Sequence, residues 1–163
     1  MVALFLASSQ PLSASVMAEA NSSVEVSKTI DATINVTDIV FGALQSGSSN
    51  SSSLENPVNI TINANTNVPV SIQVNGSDLI TYGGVIGVRN LTYCNESMGE
   101  KTELNSTFSS GSNLIGLPFS DWVSIPNSPV DVYRQAFFWV SVPSDQKAGA
   151  YSGKIYLRVV ESS

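Results

Sequence analysis

The chain has 163 residues, of which 42% are hydrophobic, so it is long enough to bury one core without metal or disulfide cross-links. Its net charge is −6 and its seven Lys and Arg residues are scattered, which argues against nucleic acid or anionic lipid as a partner. It has no His and a single Cys, Cys94, which excludes an intrachain disulfide and argues against His-based catalysis and cysteine-rich zinc sites.

The first 20 residues are open to two interpretations. An apolar run at residues 2–7, followed by small residues and an Ala-x-Ala pattern at 18–20, resembles the end of a secretory signal peptide. No Lys or Arg precedes the run, which is atypical of such a peptide. Alternatively, the segment is retained and donated as a strand to a neighbouring subunit. In both cases residues 21–163 are expected to form a single β-sandwich domain, and the run is too short to span a membrane.

From residue 24 onward, apolar and polar residues alternate with the period of a half-buried strand. The first stretch continues to Gly42, and a Gly- and Ser-rich connector follows it. Residues 58–64 and 68–74 then alternate regularly on either side of a polar turn, so they are predicted to pair as a hairpin. Asn75-Gly76 is a turn dipeptide that is expected to end the second strand.

The second half of the chain continues with short extended stretches and no helical periodicity. They fall at residues 79–93, 114–125, 133–142 and 151–160, with a long polar loop at 95–112. The third of these is rich in aromatic residues, and alternation predicts that Phe138 faces away from Phe137 and Trp139. We therefore predict an all-β protein, an antiparallel β-sandwich of about seven to nine strands of immunoglobulin-like or jelly-roll type.

The predicted core consists of apolar residues at the inward-facing positions of these strands. They are Ile34, Val36, Phe41, Ile60, Ile62, Val70, Ile72, Trp122, Ile155, Leu157 and Val159.

Asn-X-Ser/Thr sequons occur more often than chance predicts. They begin at Asn21, Asn35, Asn50, Asn59, Asn75, Asn90, Asn95 and Asn105. Dense N-glycosylation of an exported protein would explain them, and so would local enrichment in Asn, Ser and Thr. Asn50, Asn95 and Asn105 are favoured because each lies in a polar connector, whereas Asn35 and Asn59 lie on strands and must face outward to carry sugar.

No residue pattern indicates catalysis. No serine stands in a nucleophile motif, no glycine-rich phosphate loop is present, and the acidic residues fall mainly in polar loops. Asp121, Asp131 and Asp145 lie beside turns without the spacing of a calcium loop. Cys94 is expected to be a small, half-buried residue, with a cross-chain disulfide or a reactive thiol as the alternatives. We therefore expect that the protein is not an enzyme and that it has no catalytic residues, no cofactor and no metal site.

Three stretches, at residues 39–53, 58–79 and 139–160, together resemble secreted archaeal β-sandwich surface proteins, the group that contains bundling pili and threads. That group is in turn similar to the camelysin/TasA-type fibre proteins of biofilm matrices. The resemblance covers about half of the chain. It implies an extracellular, cell-surface location and a head-to-tail homopolymer in which a strand of one subunit fills a groove in the next, called donor-strand complementation.

Two segments are candidates for the donated strand. The first contains Val2, Leu4 and Leu6, and the second, residues 24–36, contains Val24, Val26 and Ile30. Neither is followed by a tight turn that returns it to its own domain, so both are expected to be free to reach outward. The alternative function is a monomeric adhesin or surface-layer accessory protein that binds carbohydrate.

Overall fold

A computed structural model describes residues 22–107, 113–117 and 131–161 of the chain. The strands in them are Ala32–Ile34 (β1), Ser51–Ser52 (β2), Val58–Ile62 (β3), Val70–Gly76 (β4), Leu79–Thr81 (β5), Gly84–Ile86 (β6), Leu91–Cys94 (β7), Thr102–Glu103 (β8), Asn113–Leu117 (β9), Val132–Val140 (β10) and Ile155–Glu161 (β11). A single 3₁₀ turn at Val88–Asn90 is the only helical element among the described residues.

The strands form two main sheets and a small hairpin, and every pair is antiparallel. The larger, six-stranded sheet has the order β1-β3-β10-β7-β8, with β2 paired to β10, and the smaller has the order β11-β4-β9. The hairpin consists of β5 and β6. The predicted all-β, antiparallel sandwich is therefore confirmed. The described strands outnumber the predicted ones because several are only two or three residues long, too short to show alternation.

The two sheets bury a core between them through alternate residues of their central strands. Ile60 and Ile62 of β3 are buried, as are Val70 and Ile72 of β4, which confirms their predicted core positions. Phe138 of β10 is fully buried in the same cluster. The polar residues between them face outward, so the period-2 pattern is a direct consequence of one face of each sheet being apolar.

The remaining core predictions have a different outcome. Five residues are only partly buried against the core: Val36, Phe41, Ile155, Leu157 and Val159. Ile34 faces inward but is 41% exposed, so its placement in the core is wrong. Its strand lies at the edge of the larger sheet, and the space beside it is open. Trp122 lies outside the described residues.

The predicted hairpin between residues 58–64 and 68–74 is wrong. Within the described chain, β3 pairs with β1 and β10, whereas β4 pairs with β11 and β9, so the two strands belong to different sheets. Alternation shows which face of a strand is apolar but not which strand lies beside it. Asn75 and Gly76 also do not form a turn, because they continue β4 opposite Tyr156 and Ile155.

One long side of the sandwich is closed by the chain itself. Leu104, which is fully buried, donates its N–H to the carbonyl of Leu91 in the larger sheet at 2.9 Å. The next residue accepts a hydrogen bond from the other sheet, since the Gly76 N–H lies 2.9 Å from the Asn105 carbonyl. A Cβ at Gly76 would lie 3.3 Å from Leu104, so the glycine permits this close crossing. Residues 104–105 therefore connect the two sheets and seal the core.

Candidate binding groove

The opposite long side of the sandwich lies between β1 and β11, and it is open. Among the described strands, β1 has only β3 beside it and β11 has only β4. An apolar pocket of about 280 Å³ separates the two edge strands. It is lined by Ile30, Ala32, Ile34, Ile60, Ile72, Leu157 and Val159. We call this space, with the cleft that continues it, the edge groove.

A larger cleft of about 1380 Å³ continues the pocket along the same side and shares Ile34 and Leu157 with it. Its walls are residues 36–46 and residues 146–157. The cleft exceeds the usual size of a small-molecule site, roughly 300–1,000 Å³. Its volume therefore suits a larger occupant, such as a peptide segment.

The backbone of β11 completes the edge groove as a binding surface. The Lys154 carbonyl accepts the Ser77 N–H at 2.8 Å, so this position bonds toward β4. In an antiparallel ladder such positions alternate with positions that bond to the other side. Ile155, Leu157 and Val159 consequently direct their N–H and carbonyl groups to the free edge while their side chains face the groove.

The chain before β1 is fastened at one end of the edge groove. Thr29 donates its N–H to Oδ1 of Asn67 at 2.7 Å, and its carbonyl accepts the Asn67 N–H at 3.1 Å. Nζ of Lys28 lies 2.7 Å from a carboxylate oxygen of Glu161, at the end of β11. The chain therefore continues the line of β1 past the end of β3, with Ile30 still lining the groove and residues 27–29 lying beyond its end.

Residues 22–26, which we call the N-terminal arm, are exposed along their whole length. Val24 is 89% exposed and Val26 is 74% exposed, although both are apolar and β-branched. Two unpacked valines at alternate positions present one apolar face of an extended segment. Burial of such a face against another surface removes apolar area from water, which is favourable.

The structure divides the two candidate donor segments. Val2, Leu4 and Leu6 lie outside the described residues. Ile30 is part of the edge groove of its own domain, and the residues after it form β1. The prediction that residues 24–36 are free to reach outward is therefore wrong for 27–36, because residues 27–31 are bonded to their own domain and β1 pairs with β3. Val24 and Val26 remain candidates for a donated strand, because their side chains are largely exposed.

The sequon asparagines differ in exposure. Those in exposed positions are Asn35, Asn50, Asn95 and Asn105, those half-buried are Asn59 and Asn90, and Asn21 lies outside the described residues. Asn75 is only 6% exposed, and its Oδ1 has no hydrogen-bond partner among the residues that the structure describes. A sugar on Asn75 would therefore require the surrounding chain to move. None of the described groove-lining residues is a sequon asparagine.

The aromatic residues of β10 lie on the two faces predicted for them. Phe138 is buried in the core, while Phe137 and Trp139 stack on the outer face with ring centroids 6.2 Å apart. Nζ of Lys101 lies 4.3 Å from the centroid of the Trp139 ring, and Trp139 is only 7% exposed. A cation over the ring leaves little of Trp139 for stacking against a sugar.

A carboxylate holds one wall of the edge groove in place. Oε2 of Glu55 accepts the Val40 N–H at 2.6 Å and the Ser53 hydroxyl at 2.7 Å. The bond from the Val40 backbone, and then the one from Ser53, keep the pKa of Glu55 below its ordinary value of 4.5. Nothing in the sequence pattern pairs Glu55 with residue 40, so the sequence alone does not predict this contact.

The described residues contain no group of three or more His, Cys, Asp or Glu side chains placed to hold a metal ion. Asp131, one of the acids beside a predicted turn, accepts the Ala64 N–H at 2.9 Å.

Among the residues that the structure describes, no helix is long and apolar enough to cross a membrane. Cys94 is buried and unbonded to another cysteine, with its Sγ 3.6 Å from Oδ1 of Asn95.

No model of a known protein family matches the chain, and no curated protein matches it. The resemblance to archaeal pili and threads and to biofilm fibre proteins thus stays a prediction from three stretches of sequence. The edge groove and the exposed arm are independent of it.

Proposed function

We propose that this chain is the structural subunit of an extracellular filament, and that each subunit fills the edge groove of the next with a strand from its own N-terminal region. The observation that carries the proposal is the groove itself. Its floor is apolar, it lies between two edge strands, and β11 offers a row of backbone groups that no other described strand uses. A strand inserted there would supply both hydrogen bonds and apolar side chains.

The arm is the element of the described chain that can act as a donor. It is apolar at alternate positions and contacts nothing in its own domain that would bury it. Residues 27–31 point it away from its own groove, since they are bonded to the loop at 63–67 in line with β1. Residues 22–31 contain no turn that would bring the arm back to its own groove, so a second copy is the better recipient.

The donated strand belongs to the part of the chain before residue 27. Val24 and Val26 supply two apolar positions, and the retained-extension alternative adds Val2, Leu4 and Leu6. A groove with walls of about ten residues has room for more than two such side chains. If residues 8–26 linked a donor at 2–7 to the anchored segment, they would reach up to about 65 Å. Both candidate segments are therefore tested below.

Filling a groove with a neighbour's strand is a head-to-tail contact, and such contacts do not close on themselves. They generate a filament, which fits an exported protein with a polar surface of few charges. The sequons leave the groove lining free, so N-linked glycans could cover the outside of such a filament without blocking its joints.

Electron microscopy of the purified protein tests the proposal. The mature full-length protein should form filaments, and a variant lacking residues 1–26 should remain a soluble monomer. A second deletion of residues 1–20 separates the donors: filaments of normal width would assign the strand to residues 21–26, and monomers would assign it to the earlier run. A synthetic peptide of the deleted segment should cap the groove of the full-length protein and block its assembly.

A matched control uses the outer face of the same strand, β1. A charge at Ile34, Ile34→Asp, should stop assembly because it enters the edge groove, whereas a charge at the exposed outward-facing Thr33, Thr33→Asp, should not. Full-length protein that stays monomeric under all conditions would contradict the filament and leave the monomeric, carbohydrate-binding adhesin as the better explanation.

A further inference from the structure

Two edge strands border the groove, and a donated strand can extend only one sheet by a full ladder. We infer that the N-terminal segment of a second copy pairs with β11 and extends the smaller sheet, rather than pairing with β1. This inference rests on the proposed filament function and adds which edge forms the joint. The occupant is a second copy because the chain's own arm, residues 22–26, is exposed and lines no part of the groove, beyond the anchored residues 28 and 29.

The number of free backbone groups differs between the edges. The N–H of Asn35 donates to the carbonyl of Asn59 at 3.1 Å, so in β1 the odd-numbered positions bond toward β3. That leaves only Ala32 and Ile34 of this three-residue strand directed outward. In β11, which has seven residues, the corresponding positions are Ile155, Leu157, Val159 and Glu161. Lys28 and Ile30 continue the outward row of β1, but they lie beyond the end of its partner β3, so the ladder backed by a paired strand is about twice as long on β11.

The stability of the two templates also differs. Every residue of β11 is in register with a residue of β4, from Ile155 opposite Gly76 to Glu161 opposite Val70. The partner β4 is itself central, with β9 on its other side. Strand β1, in contrast, keeps register with β3 over three residues only. A template that is held along its length loses less conformational freedom when a further strand binds.

The side chains of β11 suit an incoming strand. Its inward-facing residues Ile155, Leu157 and Val159 are all apolar and only partly buried, so added apolar side chains would complete their burial. The strand contains no proline and no inward-pointing charge between its ends, the usual devices that prevent pairing at an edge. Natural sheets rarely leave such an edge uncovered.

Disulfide trapping tests which edge is used. The background is the full-length protein with Cys94→Ser, or Cys94→Ala if the serine variant does not fold. Tyr156→Cys places a thiol on the outer face of β11, and Thr33→Cys places one at the equivalent outward position of β1. Each is combined with single cysteines scanned through residues 2–7 and 22–26, because paired strands bring Cβ atoms to about 4.5–5.5 Å.

Mild oxidation of preformed filaments should yield covalent intersubunit dimers with Tyr156→Cys and at least one scanned cysteine, in residues 2–7 or 22–26, at a level at least tenfold above the best Thr33→Cys pair. Filaments that cross-link through Thr33→Cys, or equally through both or neither, would overturn the β11 assignment and leave the filament function standing. A background protein that forms no filaments would overturn the proposed function and this inference with it.

Discussion

The two long sides of this sandwich are finished in different ways, although both are bordered by apolar residues. On the closed side Leu104 is fully buried, and residues 104–105 bond to both sheets. On the open side Ile34 is 41% exposed, and Leu157 and Val159 are only partly covered. On the closed side, the chain itself supplies the segment that covers the core, residues 104–105. The open side lacks that segment among the described residues, so its strands are ready for one from elsewhere.

The strongest way to break the comparison is to remove the core that both sides share. Ile62→Asp should prevent folding, because an unpaired carboxylate in the core costs several kcal/mol, a large part of the roughly 5–15 kcal/mol that stabilises a domain. Ile62 is 1% exposed, whereas the adjacent Thr61 faces the outer surface. Circular dichroism should show no cooperative melting for Ile62→Asp and a near-normal melt for the control Thr61→Asp. A normal melt of Ile62→Asp together with a loss of cooperative melting in Thr61→Asp would show that the strand faces are reversed.

The difference between the two sides is itself measurable. Leu104→Ala should lower the free energy of unfolding of the monomer lacking residues 1–26 by about 2–5 kcal/mol, whereas Ile34→Ala should lower it by less than about 1 kcal/mol. The reason is that Leu104 leaves a cavity in a sealed region and Ile34 does not. Urea denaturation gives both values.

Assembly should reverse this order. In the full-length protein, Ile34→Ala should raise the critical concentration for filament formation, measured by sedimentation, by at least tenfold, and Leu104→Ala should raise it far less as long as the subunit remains folded. Equal losses of monomer stability in the two variants would mean that the open side is already covered in the monomer.

The same contrast explains which features of the fold could be predicted from the sequence. Period-2 alternation correctly identified the inward faces of β3, β4 and β10, because burial of one face is a local property. The pairing of β3 with β4 was wrong, since two strands facing each other across a core carry the same pattern as two neighbours. The placement of Ile34 in the core is wrong for a related reason. Alternation shows that its side chain faces inward, but its exposure depends on whether β1 lies at the edge of its sheet.

The groove itself could be predicted only in part. An unfilled edge was expected from a resemblance, but its walls at residues 37–46 and 146–153 have no periodicity from which to locate them. The bond from the Val40 N–H to Glu55 and the cation over Trp139 join residues that are distant in sequence. No local signal marks such contacts, so only the fold reveals them.

Glycan mapping sharpens the comparison at the surface. Mass spectrometry of native material should find sugar on Asn50, Asn95 and Asn105, which are exposed, and not on Asn75, which is buried beside the closed side, if glycosylation follows folding. Occupancy at Asn75 would show that the sugar is added before the domain folds. An intact mass equal to the bare 17.2 kDa chain would rule out glycosylation altogether.

The smallest expected effect concerns the wall of the open side that Glu55 holds. Hydrogen bonds from Val40 and Ser53 lower the pKa of this carboxyl in the folded protein, so its contribution to stability is fully present above the ordinary value of 4.5 and is lost as the pH falls through the lower, folded-state value. Because the carboxylate lies near the surface, the effect should be local rather than global. Hydrogen exchange should therefore show a protected Val40 amide at pH 5 that loses protection in more acidic solution, while amides of β4 stay protected.

Two variants serve as controls. Glu55→Gln, which keeps an acceptor oxygen but cannot titrate, should remove this pH dependence, and Glu55→Ala should leave the Val40 amide unprotected throughout. A Val40 amide that exchanges at the same rate in the wild type and in Glu55→Ala would show that residues 37–41 are held by other contacts.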